Sequence, residues 1–190
     1  MKQSLPEKRS DSSILEKLKK LGSCSVLLAR GVLQDPNFES TVVLVCIHST
    51  EGSYGLVLNR PSHMPLSEIF DGFSSLRNRR EVYIGGPVKQ DELQIVQITN
   101  EPVEGAYEIA PGVHMGGRWG SIGHMIETDS AFTYFFLGYS GWGGGQLEAE
   151  VRAGAWDVYR IDIEKLLTNL KKLVSSDKKK ISEFLKSIQI

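Results

Sequence analysis

The run "TVVLVCI", residues 41–47, limits the fold more than any other stretch of the chain. Apolar, largely β-branched residues at successive positions predict a strand buried on both faces, so the sheet that holds it needs apolar cover above and below. Its neighbours supply partners. "SVLLA" at Ser25–Ala29 reads as a second strand, and "QDPNFES" between the two as a turn in which Asp35 and Pro36 provide the turn chemistry. After the turn "STEGSYG", the strand "LVLN" is expected to fold back on "TVVLVCI" as an antiparallel hairpin.

Further strands are expected at "EVYIGGPV", "ELQIVQIT", the aromatic "AFTYFFLGYSGW" and "WDVYRID". Helical spacing of apolar residues places a first helix after a capping box, Ser13 with Glu16, and ends it at Gly22. Later helices carry Leu66, Ile69, Phe70 and Phe73, then Leu147 and Val151, then Leu166, Leu167, Leu170 and Val174, and finally Ile181, Phe184, Leu185 and Ile188. Frequent glycine and proline between residues 100 and 123 predict loops. Strands and helices interleave without regular βαβ spacing. The expected class is therefore α+β: a single compact domain with a mixed, largely antiparallel β-sheet core and flanking helices. It divides into a disordered tail at 1–11, the domain proper at 12–174 and a C-terminal helical tail at 175–190.

With 22 basic against 23 acidic residues, the chain has a formal net charge of −1, so no global field draws it to DNA or to anionic membranes. The local basic runs, Arg77, Arg79 and Arg80 and then Lys178, Lys179 and Lys180, read as solvated surface. Cys24 and Cys46 each lie in an apolar run and are expected as buried, reduced thiols. The opening "MKQSLPEKRSDSS" has no apolar core of a secretory signal, which makes the cytoplasm the expected compartment. No membrane partner is expected, and nucleic acid is disfavoured.

The blocks "DPNFESTVVLVCIHSTEGSYGLVLNRP", "VYIGGPV" and "GYSGWGGGQLEAE", with Trp156 following, occur in an order and spacing that resembles the YqgE/AlgH family of bacterial proteins. The resemblance covers residues 22–162. It implies a compact α+β fold without an established activity. One member carries the label of a transcriptional regulator, but no helix-turn-helix with a basic recognition helix is visible here, and the charge is slightly acidic.

Two strand ends are the candidate ligand-binding positions. In the first, Gly141, Trp142, Gly143, Gly144, Gly145 and Gln146 form a glycine-rich turn between a strand and a helix, where backbone N–H groups could cradle a phosphate. The turn lacks the Lys-Ser/Thr of a nucleotide loop, and Glu148 and Glu150 already bring negative charge to the helix start. Packing is the alternative: Trp142 buried, and the glycines letting the helix approach the sheet. In the second, Asn59 and Arg60 precede Pro61, and Arg60 could clamp a carboxylate or phosphate, or else pair with Glu68 or Asp71. His48, Glu148 and Glu150 are secondary candidates for handling protons. Ser140 falls short of a nucleophile elbow because Trp142 occupies the slot of its last glycine. The histidines stand in no zinc-binding spacing, so neither metal nor cofactor is called for. A binding or regulatory module, taking a protein partner or a small anionic ligand, leads over an enzyme acting on a phosphate-bearing or nucleic-acid substrate.

Overall fold

The side chains of "VVLVC" divide between two cores: Val42, Leu44 and Cys46 enter one, Val43 and Val45 the other. The strand between those cores sits in a ten-stranded sheet. The computed structural model describes residues 7–33, 35–69, 80–128 and 132–190. Its first half comprises α1 (Glu7–Lys20), β1 (Ser25–Ala29), a 3₁₀ turn (Pro36–Phe38), β2 (Val42–Ser49), β3 (Gly52–Val57), β4 (Pro61–Pro65), α2 (Leu66–Ile69) and β5 (Glu81–Ile84). There follow β6 (Val88–Ile98), β7 (Ala106–Ala110), β8 (Val113–Gly116), α3 (Trp119–Thr128) and β9 (Phe132–Gly143). The chain then closes with α4 (Gln146–Arg152), β10 (Trp156–Arg160), α5 (Ile163–Leu167), α6 (Leu170–Val174) and α7 (Lys178–Ser187).

The strand order is β10-β1-β2-β3-β9-β6-β8-β7, with β4 and β5 off this path. The expected β2–β3 hairpin is present, and β5 runs parallel to β9 while the other pairs are antiparallel, so the sheet is mixed and largely antiparallel as the sequence predicts. β9 organises the molecule. Its residues from Ser140 onward pair with β3, and its earlier residues pair with β6 and β5. At the junction, Gly138 takes φ +67°, and a Cβ there would stand 2.7 Å from the Val88 carbonyl oxygen. Only glycine combines that backbone with so close an approach, and the β6–β9 register shifts beside it, between Val88 and Leu93.

Among the described residues, three apolar cores result. One face of the sheet packs under α5, α6 and α7, whose Leu166, Leu170, Ile181 and Leu185 are buried. The other face packs under α4 and α1 through Leu147, Val151, Leu18 and Leu21. A third core joins Leu66 of α2 and Ile122 of α3 to Val82, Ile95 and Phe135.

Several elements differ from the sequence reading. α1 begins at Glu7, so the expected capping box lies inside a helix that is docked by Lys17, whose Nζ donates to Asp157 Oδ1 at 2.7 Å and to the Trp156 carbonyl at 3.1 Å. Residues 100–123 hold the β7–β8 hairpin and the start of α3. The proline and glycine at positions 111 and 112 punctuate that hairpin as its turn. The helix expected across residues 163–174 breaks in two because Thr168 and Asn169 turn back, with Thr168 Oγ1 donating to the Glu164 carbonyl and Asn169 Nδ2 to that of Lys165, both at 2.8 Å. α7, assigned by sequence to a separate tail, is buried in the largest core. Phe70, Asp71, Phe73, Arg77 and Arg79 lie outside the described residues.

Candidate functional site

The glycine-rich turn is held by a carboxylate. Glu150 Oε2 accepts from the indole Nε1 of both Trp142 (3.0 Å) and Trp156 (2.8 Å), and its Oε1 accepts from Gln146 Nε2 at 3.0 Å. Gln146 Oε1 in turn accepts the backbone N–H of Gly143 at 3.0 Å. Both indoles are buried and meet edge-on at 6.2 Å, and Phe38 packs against the pair, stacked on Trp142 at 5.9 Å and edge-on to Trp156 at 5.6 Å. Gly144 lets the turn close on the β2–β3 hairpin: a Cβ there would meet the Thr50 carbonyl oxygen at 2.5 Å. Trp142, Gly143, Gly144 and Gln146 all make contacts of the packing kind here.

Next to that turn, His48 bridges the hairpin to α4. Its Nδ1 stands 2.7 Å from Ser53 Oγ, and its Nε2 stands 3.6 Å from Glu148 Oε1. The register Ser53↔Trp142 and Gly52↔Gly143 brings these groups to the glycine turn. Asn59 and Arg60 do not join them. They follow the far end of β3, six residues beyond Ser53, which at ~3.3 Å per residue is a separation of roughly 20 Å. There Asn59 Oδ1 accepts from the Val42 N–H at 2.9 Å, and its Nδ2 donates to the Ser40 carbonyl at 3.0 Å. Arg60 Nη2 donates to the carbonyls of Pro36 (3.0 Å) and Glu39 (3.3 Å). Glu68, one of the carboxylates weighed as its partner, does not appear in these bonds, and Asp71 lies outside the described residues. Arg60 clamps the 3₁₀ turn, whose cap is Asp35, with Oδ1 accepting from the Asn37 N–H at 2.8 Å.

A concavity opens elsewhere, where β5 and β9 run side by side beneath the α5–α6 corner. It has a volume of about 620 Å³, and its lining includes Arg80, Glu81, Tyr83, Phe132, Tyr134, Asn169, Lys171 and Lys172. The parallel register Val82↔Phe135, continued toward the strand starts, sets Glu81 beside Tyr134. Phe132 and Tyr134, two apart on β9, share a face. Phe132 is 68% exposed, while Tyr83 is buried to 4% against Phe136. Tyr83 donates its hydroxyl to Glu81 Oε2 at 3.2 Å, and burial together with that carboxylate pushes the phenol's pKa up. Lys171 Nζ stands 3.9 Å from the same Glu81 oxygen. Burial lowers the pKa of Arg80, which the sequence reading had left among solvated cations. No group of three or more His, Cys, Asp or Glu placed to hold a metal occurs among the described residues.

A family model described as AlgH-like matches residues 26–188. The chain belongs to the AlgH-like family. A UPF0301 protein of Chlorobaculum tepidum is 37% identical over 147 residues, covering 76% of this chain and 78% of its own length. Another from Chlorobium limicola is 39% identical over 140 residues, with 72% and 74% covered. The solution structure of the AlgH protein of Pseudomonas aeruginosa is similar at a TM-score of 0.67 with 25% identity, over 96% of this chain and 97% of that one. The AlgH-like match runs through α7, in keeping with the burial of that helix in the main core.

Within this AlgH-like domain, sequence reasoning missed the concavity. Its signals were present but scattered: a cation just before "EVYI", an exposed aromatic opening β9, and paired lysines on the helix carrying Leu170. Only the parallel β5–β9 pairing and the break at Thr168 assemble them. No helix among the described residues is long and apolar enough to cross a membrane.

Proposed function

We propose that this protein is a non-enzymatic binding or regulatory module that takes a small anionic ligand in the concavity between β5, β9 and the α5–α6 corner. The carrying observation is the lining, which among the described residues brings Lys171 and Lys172 together with Glu81 beside the exposed ring of Phe132. Binding sites combine an apolar wall with a few converging polar groups in this way. The groups earlier considered for holding anions are bound into the scaffold, Arg60 by carbonyls and the glycine turn by Gln146 and Glu150. The free thiols Cys24 and Cys46 suit the cytoplasm, where reducing conditions preserve them.

The test is an amide NMR titration with pooled nucleotides, sugar phosphates and carboxylates. Saturable shifts at Tyr83, Thr133, Asn169 and Lys171 are expected, with residues 143–146 unmoved. Shifts confined to residues 143–146 would overturn the placement.

A second reading, an enzyme acting on a phosphate-bearing substrate, draws on His48, which links a hydroxyl to a carboxylate. It requires Ser53, 8% exposed within β3, to reach a substrate. Turnover of any phosphate ester that Ser53→Ala abolishes, at unchanged melting temperature, would favour it.

A further inference from the structure

Resting on the binding-module reading and deepening it, we propose that the ligand class is a 5′-nucleotide, its base against Phe132 and its phosphate at Lys171 and Lys172. The lining of the concavity combines two chemistries. One is Phe132, 68% exposed and on the same β9 face as Tyr134. A single exposed aromatic on a convex surface asks for no explanation, but this one stands in the wall of a cleft that also gathers cations. A flat apolar ring presented there suits a flat π-system, and nucleobases stack on aromatic side chains whatever their sequence identity.

The same lining carries Lys171 and Lys172, consecutive on α6. Lys171 is 84% exposed, and its only ion-pair contact among the described residues is a loose one to Glu81 at 3.9 Å. An exposed pair of that length contributes little, so the ammonium is free to turn toward a phosphate. Glu81 sets the polarity of the site. Its Oε2 accepts from the Tyr83 hydroxyl and faces Lys171, so among the described lining residues it offsets one of the two lysines and leaves the other for an anionic group.

Thr168 and Asn169, also in the lining, are tied to the carbonyls of α5, so the shape of that corner is set by the fold rather than by a ligand. A volume of about 620 Å³ falls in the range of roughly 300–1,000 Å³ that holds small ligands. Neither half alone specifies a nucleotide. Phosphate would need only the lysines, and an apolar molecule only Phe132. The joint presence of both, in one lining, selects a ligand with an aromatic and a dianionic end.

The experiment titrates the full chain with AMP, adenosine, ribose 5-phosphate and a short single-stranded oligonucleotide, read by amide NMR and calorimetry. AMP is expected to saturate shifts at Thr133, Asn169 and Lys171 with a Kd at least tenfold below those of adenosine and ribose 5-phosphate. Phe132→Ala should bring AMP to the level of ribose 5-phosphate, and the Lys171→Ala/Lys172→Ala pair should bring it to that of adenosine. All three side chains are exposed at the cleft rim, and unchanged Trp142 and Trp156 fluorescence confirms that the variants fold. An oligonucleotide binding tighter per phosphate than AMP, still lost in Phe132→Ala, assigns the same chemistry to a strand rather than a free nucleotide. AMP and ribose 5-phosphate binding equally, with no effect of Phe132→Ala, overturns the nucleotide assignment. If AMP leaves the cleft unmoved while a carboxylate or sugar phosphate saturates it, the nucleotide inference falls and the binding module stands. Silence from every probe at these amides removes both.

Discussion

Glu150 illustrates how one side chain's role follows from what touches it. In the sequence it is an acidic residue near a helix start, equally fit for proton transfer or for a solvated face. In the fold, one of its oxygens receives two buried indole N–H groups. Glu150→Ala should therefore cost about 2–4 kcal/mol in urea unfolding, since it leaves two buried donors unsatisfied, and should shift the tryptophan emission. Glu150→Gln, which keeps an acceptor, should cost less. Arg60 makes the complementary case. Its bonds to the Pro36 and Glu39 carbonyls are exposed, so Arg60→Ala should lower stability by about 1 kcal/mol while leaving ligand affinity in the concavity unchanged. A fall in affinity without loss of stability would return Arg60 to the ligand site. The sequence placed Arg60 correctly at a strand end but could not reveal its partner, because the carbonyls it binds belong to a turn more than twenty residues earlier.

At the scale of elements, what could be read beforehand follows a physical rule. β2 was legible because both its faces are apolar and each face feeds a separate core. The break between α5 and α6 was not, because apolar spacing continues across it and two polar side chains cut the helix by bonding backward. The β7–β8 hairpin was hidden by its own turn residues, which resemble loop composition. The concavity was hidden for a further reason, since a parallel pair such as β5 and β9 leaves no local trace of which distant residues it aligns. Helix caps, by contrast, are local and testable. Asp162 caps α5 and Asp177 caps α7, and the backbone N–H groups of Lys165 and Lys180, respectively, hold their carboxyls below the usual carboxylate range. A native value below the unfolded one of about 3.9 means the folded chain binds fewer protons, so this contribution is complete above that pH and is lost as pH falls through the native value. Protection factors of α7 amides, taken relative to intrinsic exchange at each pH, should fall as pH drops from 5 to 3, and Asp177→Asn should flatten that dependence. An equal fall in the variant would show that the cap is not its source.

For the whole molecule, the decisive contact joins the two ends of the chain. β1 lies between β2 and β10, its register to β10 running from Ser25↔Arg160 to Ala29↔Trp156. A chain truncated after Ala153 keeps β1 through β9 but leaves one edge of β1 bare and removes α5, α6 and α7 from the main core. It should elute as aggregate in size-exclusion chromatography rather than as a folded species. Recovery of a monodisperse, cooperatively unfolding fragment would show that the first 153 residues are self-sufficient.

The same pairing sets a schedule for synthesis. β1 leaves the ribosome more than a hundred residues before the strand that will cover it. At ~5–20 residues per second, that bare edge waits on the order of 10 s in a crowded cell. For those seconds the nascent chain presents a strand flanked by uncovered apolar faces. Its yield is then decided by whatever shields the edge during translation, before the finished stability of the protein has any part in the outcome.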